Sequence, residues 1–321
     1  MNTFQRYLAE EFAEDFEEGR LPRRDAIKLI ASVTGSLVFA ETILAACSPS
    51  SPGATFAPVS PPVGSAVLTA TAAASATAPS SPPGTVAPED PEVRVEDVEF
   101  AGEDTQVAGY LARPSAGETF PVILVCHENR GLTDHIRDVA RRLAKAGYVS
   151  LAVDLLSRQG GSDSVGEADI PGVLANQPPE QFAADFRAGW QFTGSLAVAD
   201  AARLGMVGFC FGGGVTWLAA TRMPELLAAV PFYGPHPAVA EVPNIRAAVL
   251  AIYAGRDDRI NQGIPALEAA MHEHGKVYEK VIYPDVDHAF HNDTGSRYAP
   301  EAARDAWART LGWFDRYVRS G

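Results

Sequence analysis

The sequence predicts an α/β protein with a mostly parallel central sheet and helices on both faces. The first observation is a series of short apolar runs, which are typical of strands buried on both faces. Examples are PVILVCHE at 121–128 and YVSLAVDL at 148–155. The second observation is that segments with helical periodicity separate these runs, such as TDHIRDVARRLAKAGY at 133–148. Strands that alternate with helices in this way favour parallel pairing through crossover connections.

The remaining elements follow the same alternation after an initial hairpin. Two strands separated by AGEDT predict that hairpin, VRVEDVEF at 93–100 and QVAGYLARP at 106–114. Four more strands are predicted further along the chain, at 203–209, 226–234, 246–255 and 276–284. Helices are expected at 179–195, after residue 213, at 262–275 and at 300–320. The polar, glycine-rich segment at 156–179 is long and predicts a surface loop or lid.

Composition excludes some functions. The chain has 321 residues and a formal net charge of −14, so it offers no basic stripe for the phosphates of a nucleic acid. Three cysteines, Cys47, Cys126 and Cys210, are too few for a disulfide scaffold. Because Cys126 lies inside an apolar strand, we expect a core thiol there, although an oxidative link to Cys210 stays open.

We expect neither a metal nor another cofactor. His127 beside Glu128, and His272 with His274, come nearest to a metal cluster in the sequence, and each pair lacks a convincing third ligand.

The amino terminus has the order of an export signal. Residues 1–21 predict a polar amphipathic helix, and Arg23 and Arg24 then precede an apolar stretch that runs to Ala46. The arginine pair resembles a twin-arginine signal, and the end of the stretch, Leu44 to Cys47, resembles a bacterial lipobox. That resemblance implies that Cys47 becomes lipidated and that the protein is a membrane-anchored lipoprotein in the periplasm or at the bacterial cell surface. An uncleaved transmembrane helix is the alternative.

The domain organisation follows from these segments. After the export signal at 1–47, residues 48–91 are rich in Ser, Pro, Ala and Thr, and they predict a disordered tether. Residues 92–321 form the predicted globular domain, which we expect to be monomeric.

Three candidate catalytic residues follow predicted strands. Cys210 follows RLGMVGF, Asp257 follows VLAIYAG, and His288 follows VIYPDVD. Chemistry in such sheets gathers at the carboxyl ends of the strands, so we expect the three side chains to meet. Asp258 and His291 are the alternatives for the acid and the histidine.

The segment GFCFGG at 208–213 is similar to the nucleophile elbow of α/β-hydrolases, with cysteine in place of serine. A cysteine at this position resembles the dienelactone hydrolase family, the carboxymethylenebutenolidases, and the resemblance extends over most of 92–320. YAGRDDRI and YPDVDHAFHND resemble its acid and histidine loops, which implies Asp257 and His288. CHENRGL resembles the segment whose glutamate approaches the nucleophile, which implies Glu128.

The resemblance also implies binding groups. The backbone N–H groups of Phe211 and Asn129 would form the oxyanion hole, and LLSRQG implies Arg158 as a ligand for a substrate carboxylate. The chain departs from the family at Asn292, where dienelactone hydrolases proper carry a second arginine. This departure leaves the substrate open.

The predicted activity is hydrolysis of a small ester, lactone or thioester through a Cys-His-Asp triad and a thioester acyl-enzyme. A tethered ligand-binding or sensing domain on an inactive hydrolase fold is the alternative function.

Overall fold

The computed structural model describes residues 1–46 and 84–320. Within them lies one sheet of eight strands: β1 (Val93–Ala101), β2 (Gln106–Pro114), β3 (Phe120–Cys126), β4 (Val149–Val153), β5 (Ala199–Phe209), β6 (Ala228–Phe232), β7 (Ala248–Ala254) and β8 (Tyr278–Tyr283). Their order across the sheet is β1-β2-β4-β3-β5-β6-β7-β8. Pairing is antiparallel between β1 and β2 and between β2 and β4, and it is parallel from β4 to β8. All eight predicted strands are therefore confirmed.

Burial of both sheet faces explains the apolar strands. Every residue of β4, β6 and β7 is buried, whereas the edge strand β8 has no fully buried residue. In a strand covered on both faces, polar residues at alternate positions would be buried without hydrogen-bond partners, which costs free energy. Such strands are therefore apolar along their whole length.

Ten α-helices are described: α1 (Thr3–Glu17), α2 (Arg23–Thr34), α3 (Leu37–Ala46), α4 (Asp134–Lys145), α5 (Ile170–Asn176), α6 (Pro179–Thr193), α7 (Phe211–Arg222), α8 (Asp258–Asn261), α9 (Ile264–Glu273) and α10 (Pro300–Phe314). The helices predicted in the globular domain correspond to α4, α6, α7, α9 and α10. The predicted lid at 156–179 is more ordered than expected, because it contains α5. Ile170 and Leu174 are four residues apart and buried, so α5 has an apolar side that packs on the protein.

The amino-terminal segment forms three helices that pack against the rest of the protein. The predicted amphipathic helix is α1, and the apolar stretch after it is divided between α2 and α3 at Gly35, whose φ of 72° ends α2. Leu8, Ile30 and Leu44 are completely buried. No helix in the described ranges is long and apolar enough to cross a membrane.

Most of the predicted tether, and Cys47 with it, lies outside the described residues. Its final part, 84–91, is described. There the Val86 N–H donates to Asp138 on α4 at 2.7 Å, and the Val86 carbonyl accepts from Arg141 at 2.5 Å. The tether therefore ends on the outer face of α4.

Candidate active site

Cys210 occupies a strained turn between β5 and α7. Its φ is 57° and its ψ is −122°, a conformation that non-glycine residues rarely adopt. Two glycines make the turn possible, because side chains there would collide with backbone. A Cβ on Gly208 would lie 2.2 Å from the Gly212 carbonyl oxygen, and one on Gly212 would lie 2.4 Å from the His127 carbonyl oxygen. The GFCFGG pattern thus reflects the close approach of strand, helix and neighbouring loop.

The turn places Cys210 at the amino end of α7. Phe211 is the first residue of this 12-residue helix, and N–H groups at the start of a helix have no partner within it. These groups carry partial positive charge, which favours an anion at the Cys210 position. The Phe211 N–H is one of these groups and follows Cys210 directly in the chain.

Asp257 and His288 form a buried hydrogen-bonded pair. Asp257 follows β7, His288 follows β8, and the distance between His288 Nδ1 and Asp257 Oδ2 is 2.6 Å. Burial opposes the charge on both side chains, but their mutual attraction is stronger. It holds the pKa of Asp257 below its usual range and that of His288 well above.

The two alternatives lie elsewhere. The Asp258 side chain is exposed as the first residue of α8. His291 is buried and stacks on Phe209 with ring centroids 5.0 Å apart, and burial lowers its pKa well below the usual value. A neutral core histidine of this kind supports packing rather than proton transfer.

A tyrosine from α1 contacts both Cys210 and His288. The Tyr7 hydroxyl is 3.1 Å from Cys210 Sγ and 3.3 Å from His288 Nε2. Tyr7 is only 3% exposed, and burial raises its pKa well above the ordinary value, so it is a neutral phenol. Cys210 and His288 are thus bridged by a hydroxyl group from the amino-terminal segment.

Glu11, one helical turn after Tyr7, adds a carboxylate to the site. Its oxygens lie 3.8 and 3.9 Å from Cys210 Sγ, and Oε1 accepts a hydrogen bond from the Asn129 side chain at 3.3 Å. Burial and the nearby Glu11 charge raise the pKa of Cys210, against the opposing effect of His288. Cys210 is accordingly held as a thiol.

Sequence analysis missed Tyr7 and Glu11. The amphipathic pattern of residues 1–21 predicts a helix, but it carries no signal for where that helix docks. Because the order of this segment resembles an export signal, the sequence indicated no catalytic role for its residues.

Glu128 and Asn129 follow β3, next to the elbow strand. Cys126, at the end of β3, pairs in register with Gly208, which brings the following loop alongside the nucleophile. The Glu128 carboxylate accepts a hydrogen bond from Asn292 at 2.6 Å. Asn292, the departure from the family pattern, therefore fixes the orientation of Glu128.

Comparison with known proteins identifies the family of this chain. The model of the dienelactone hydrolase family matches residues 107–318, well over half of the chain. The chain belongs to the dienelactone hydrolase family. It is 37% identical over 238 residues to a Methylorubrum extorquens protein provisionally named a carboxymethylenebutenolidase, an alignment covering 69% of this chain and 80% of the relative. A protein from Escherichia coli with the same provisional name is 35% identical over 246 residues, covering 67% of this chain and 89% of the relative.

A solved structure extends the agreement to three dimensions. The crystal structure of a provisionally named dienelactone hydrolase from Klebsiella pneumoniae superposes with a TM-score of 0.66 at 31% identity, covering 70% of this chain and 99% of that one. The matched region of this dienelactone hydrolase family member starts after the amino-terminal helices. The chain is therefore a hydrolase-family domain with an additional segment that reaches its active site.

Arg158, the predicted carboxylate ligand, is engaged elsewhere in this family member. Its guanidinium donates to Asp185 at 2.7 Å and also pairs with Asp104. Arg158 is not among the residues that line the cavity at Cys210. Arg158 therefore lies away from the cavity at Cys210.

The cavity beside Cys210 has a volume of about 630 Å³, and it is lined by the amino-terminal helices and by the hydrolase domain. The hydrolase domain contributes Cys210, His288 and Arg297, whereas α1 contributes Glu11 and α2 contributes Lys28. The volume is ample for a small ester or lactone. One wall of the pocket is therefore built from the amino-terminal segment.

One group of side chains in the described ranges has spacing suited to a metal ion. Glu11, Cys210 and His288 each offer a ligand atom, and these atoms lie within 4.8 Å of one another. Carboxylate, thiolate and imidazole would suit Zn²⁺. The same three atoms are used by the hydrogen bonds described above.

Proposed function

We propose that this protein hydrolyses a small ester, lactone or thioester through Cys210, His288 and Asp257. The observation that carries the proposal is the 2.6 Å hydrogen bond between His288 and Asp257 beside a cysteine at a strained elbow. Membership of a hydrolase family supports the same reaction class.

In the first half of the reaction, His288 takes the proton of the Cys210 thiol, and the thiolate attacks the substrate carbonyl carbon. Asp257 holds the proton on His288 Nδ1, so that Nε2 faces the sulfur. The carbonyl oxygen becomes an oxyanion, which the N–H groups of Phe211 and Asn129 stabilise, a contribution of about 3 kcal/mol per donor. His288 then protonates the leaving alcohol as the carbon–oxygen bond breaks and the thioester forms.

In the second half, His288 accepts a proton from water, and the resulting hydroxide attacks the thioester carbonyl. The carbon–sulfur bond breaks, the acid leaves, and Cys210 regains its proton from His288. No cofactor takes part in this sequence. Amides are poor substrates in expectation, because their leaving group is less stable than an alkoxide or a thiolate.

The test is a panel of short esters, lactones and thioesters assayed on the full chain. Cys210→Ala should abolish hydrolysis, whereas Cys126→Ala, which changes the other described cysteine, should keep it. A Cys210→Ser variant should also lose most activity, because His288 faces a much less acidic hydroxyl. If the chain hydrolyses nothing faster than Cys210→Ala does, either unaltered or with α1 displaced from Cys210 by Phe4→Asp, the proposal is wrong and a ligand-binding domain is favoured.

We also propose export and lipid attachment through Cys47. The support is the sequence order of Arg23, Arg24, an apolar stretch and Leu44 to Cys47. In a bacterial host, a clickable fatty acid should label the full chain and should not label Cys47→Ser. Equal labelling of the two would contradict lipidation at Cys47.

We also propose that the protein is a monomer. Light scattering on the purified chain would check its molecular mass.

A further inference from the structure

The amino-terminal helices, residues 3–46 and here called the cap, reach the centre of the active site. Tyr7 contacts the nucleophile and the base at 3.1 and 3.3 Å. Glu11 places a carboxylate within 3.9 Å of the nucleophile. These are the atoms that a substrate must approach, so α1 occupies the hydrogen-bonding positions around Cys210 even though a cavity remains beside them.

We propose that the cap is an internal inhibitor, and that the hydrolase becomes active when α1 leaves the active site. The inference rests on the proposed function for its biological consequence, but the occupation of the site is a separate physical claim. The occupant is a segment of this chain, bound by groups that surround Cys210.

Aromatic packing holds the start of α1. Phe4 lies against Phe211, the residue after the nucleophile, with ring centroids 4.9 Å apart, and against Phe182 on α6 at 5.4 Å. Phe4 is 4% exposed. A contact of this kind is apolar and local, so a single polar substitution at Phe4 should loosen α1.

Charge complementarity holds the rest of α1. Arg259 lies in α8, the helix that begins directly after Asp257, and pairs with Glu14 at 3.3 Å. Its guanidinium carbon lies 4.5 Å from the centroid of the Tyr7 ring. Arg297 pairs with Asp15 at 3.6 Å. The acidic residues of α1 thus form ion pairs with cations beside the catalytic residues. Such charge complementarity is typical of a specific interface.

The position of Glu11 explains why the occupied state is inactive. A carboxylate next to Cys210 disfavours the thiolate and would repel the oxyanion formed by attack on a carbonyl. Glu11 also accepts from the side chain of Asn129, whose backbone is a proposed oxyanion donor. A negative charge therefore already lies beside the oxyanion site.

The limits of the cap match the proposed processing site. The last cap helix ends at Ala46, one residue before Cys47. Cleavage in front of Cys47, which a lipobox directs, would separate all three cap helices from the hydrolase domain. The same cleavage would then process the export signal and release the inhibitor from the hydrolase domain.

The test measures the reactivity of Cys210 in the full chain, which does not depend on any substrate. The rate of alkylation by iodoacetamide is followed by peptide mass spectrometry in the presence of EDTA, so that a bound metal does not protect the thiol. Phe4→Asp places an unpaired charge in the aromatic contact and should release α1, and Phe4→Leu is its matched control. We expect Phe4→Asp to speed both alkylation and ester hydrolysis by roughly tenfold or more, because the Glu11 charge moves away from Cys210 and the thiol becomes easier to reach.

A second pair of variants tests the charge without disturbing packing. Glu11→Gln should speed alkylation at neutral pH by roughly three- to tenfold and move the alkylation profile to lower pH. Glu10→Gln makes the same charge change at an exposed position of α1 and should have no effect. The pH profile reports the Cys210 thiol. The ionisable groups that interact with this thiol are Tyr7, Glu11, Cys126, Glu128, Tyr233, His288 and Arg297.

The outcomes separate the two proposals. Faster alkylation in Phe4→Asp and Glu11→Gln supports the internal inhibitor even if no ester is hydrolysed, and that second result would instead contradict the proposed function. Equal or slower alkylation in both variants would overturn the internal inhibitor. A Phe4→Asp chain that alkylates faster but hydrolyses esters more slowly than Phe4→Leu would also overturn it, because the cap would then be part of the working site.

Discussion

Replacing Asp257 with asparagine removes the charge that supports His288 while keeping the shape of the side chain. In the structure Asp257 is almost fully buried and its carboxylate lies 2.6 Å from His288 Nδ1. The amide can still accept a hydrogen bond from Nδ1, but it can also donate one and so favour the wrong tautomer. The expected defect is therefore electrostatic and tautomeric, with little change in packing.

The magnitude follows from Coulomb's law. Two unit charges about 4 Å apart interact by about 4 kcal/mol at an effective dielectric constant of 20. That energy corresponds to about a thousandfold in the population of protonated His288, since about 1.4 kcal/mol is a factor of ten. Without it the thiolate–imidazolium pair is less populated, and kcat/KM should fall by roughly 10²- to 10⁴-fold.

The assay is hydrolysis of p-nitrophenyl acetate by the full chain carrying Phe4→Asp, which should release α1 from the site, with Asp258→Asn in the same background as the matched control. Asp258 is the next residue, carries the same charge and is exposed. Equal activity of the two variants would refute the assignment of the triad acid. A large loss in Asp258→Asn with normal activity in Asp257→Asn would transfer the role to Asp258.

Two further predictions concern stability, measured by urea unfolding. Gly212→Ala should cost at least about 2 kcal/mol, because its Cβ would lie 2.4 Å from the His127 carbonyl oxygen. Gly312→Ala, on α10 with no atom within 4 Å, should instead stabilise by about 0.5–1 kcal/mol, and equal midpoints for the two would contradict the packing argument. Asp293→Asn should cost about 1–3 kcal/mol at pH 7, because the buried Arg142 loses one of its two carboxylate partners and keeps only Asp138. The hydrogen bonds from His135 and Arg142 hold the pKa of Asp293 well below its usual range even though burial opposes the charge, so its stabilisation is present above about pH 4 and is lost as pH falls further. A deficit that persists unchanged at pH 2 would contradict this linkage.

The sequence predicted most of the hydrolase domain because its signals are local. Short apolar runs identify strands buried on both faces, and all eight are present in the sheet. The elbow glycines form a short sequence pattern that can be recognised without the fold, although the collision that Gly212 avoids is with His127, which is distant in sequence. Cys210, Asp257 and His288 could be named because the ends of parallel strands meet at one edge of a sheet.

Choices between neighbouring residues needed the tertiary structure. Asp257 and Asp258 are alike in sequence, and only the packing of β7 and α8 buries one and exposes the other. Arg158 and Asn292 show the same limit, because the partners that engage them, Asp185 and Glu128, are distant in sequence.

The amino-terminal segment marks the boundary between what sequence and structure decide. Its amphipathic pattern determines that residues 3–17 form a helix, because periodicity is a property of the segment alone. Where an amphipathic helix docks depends on the surface that it meets, and that surface is assembled from loops after several different strands. Only the folded chain brings Tyr7 and Glu11 to Cys210, and so only the folded chain shows that the amino-terminal segment contacts the candidate active site.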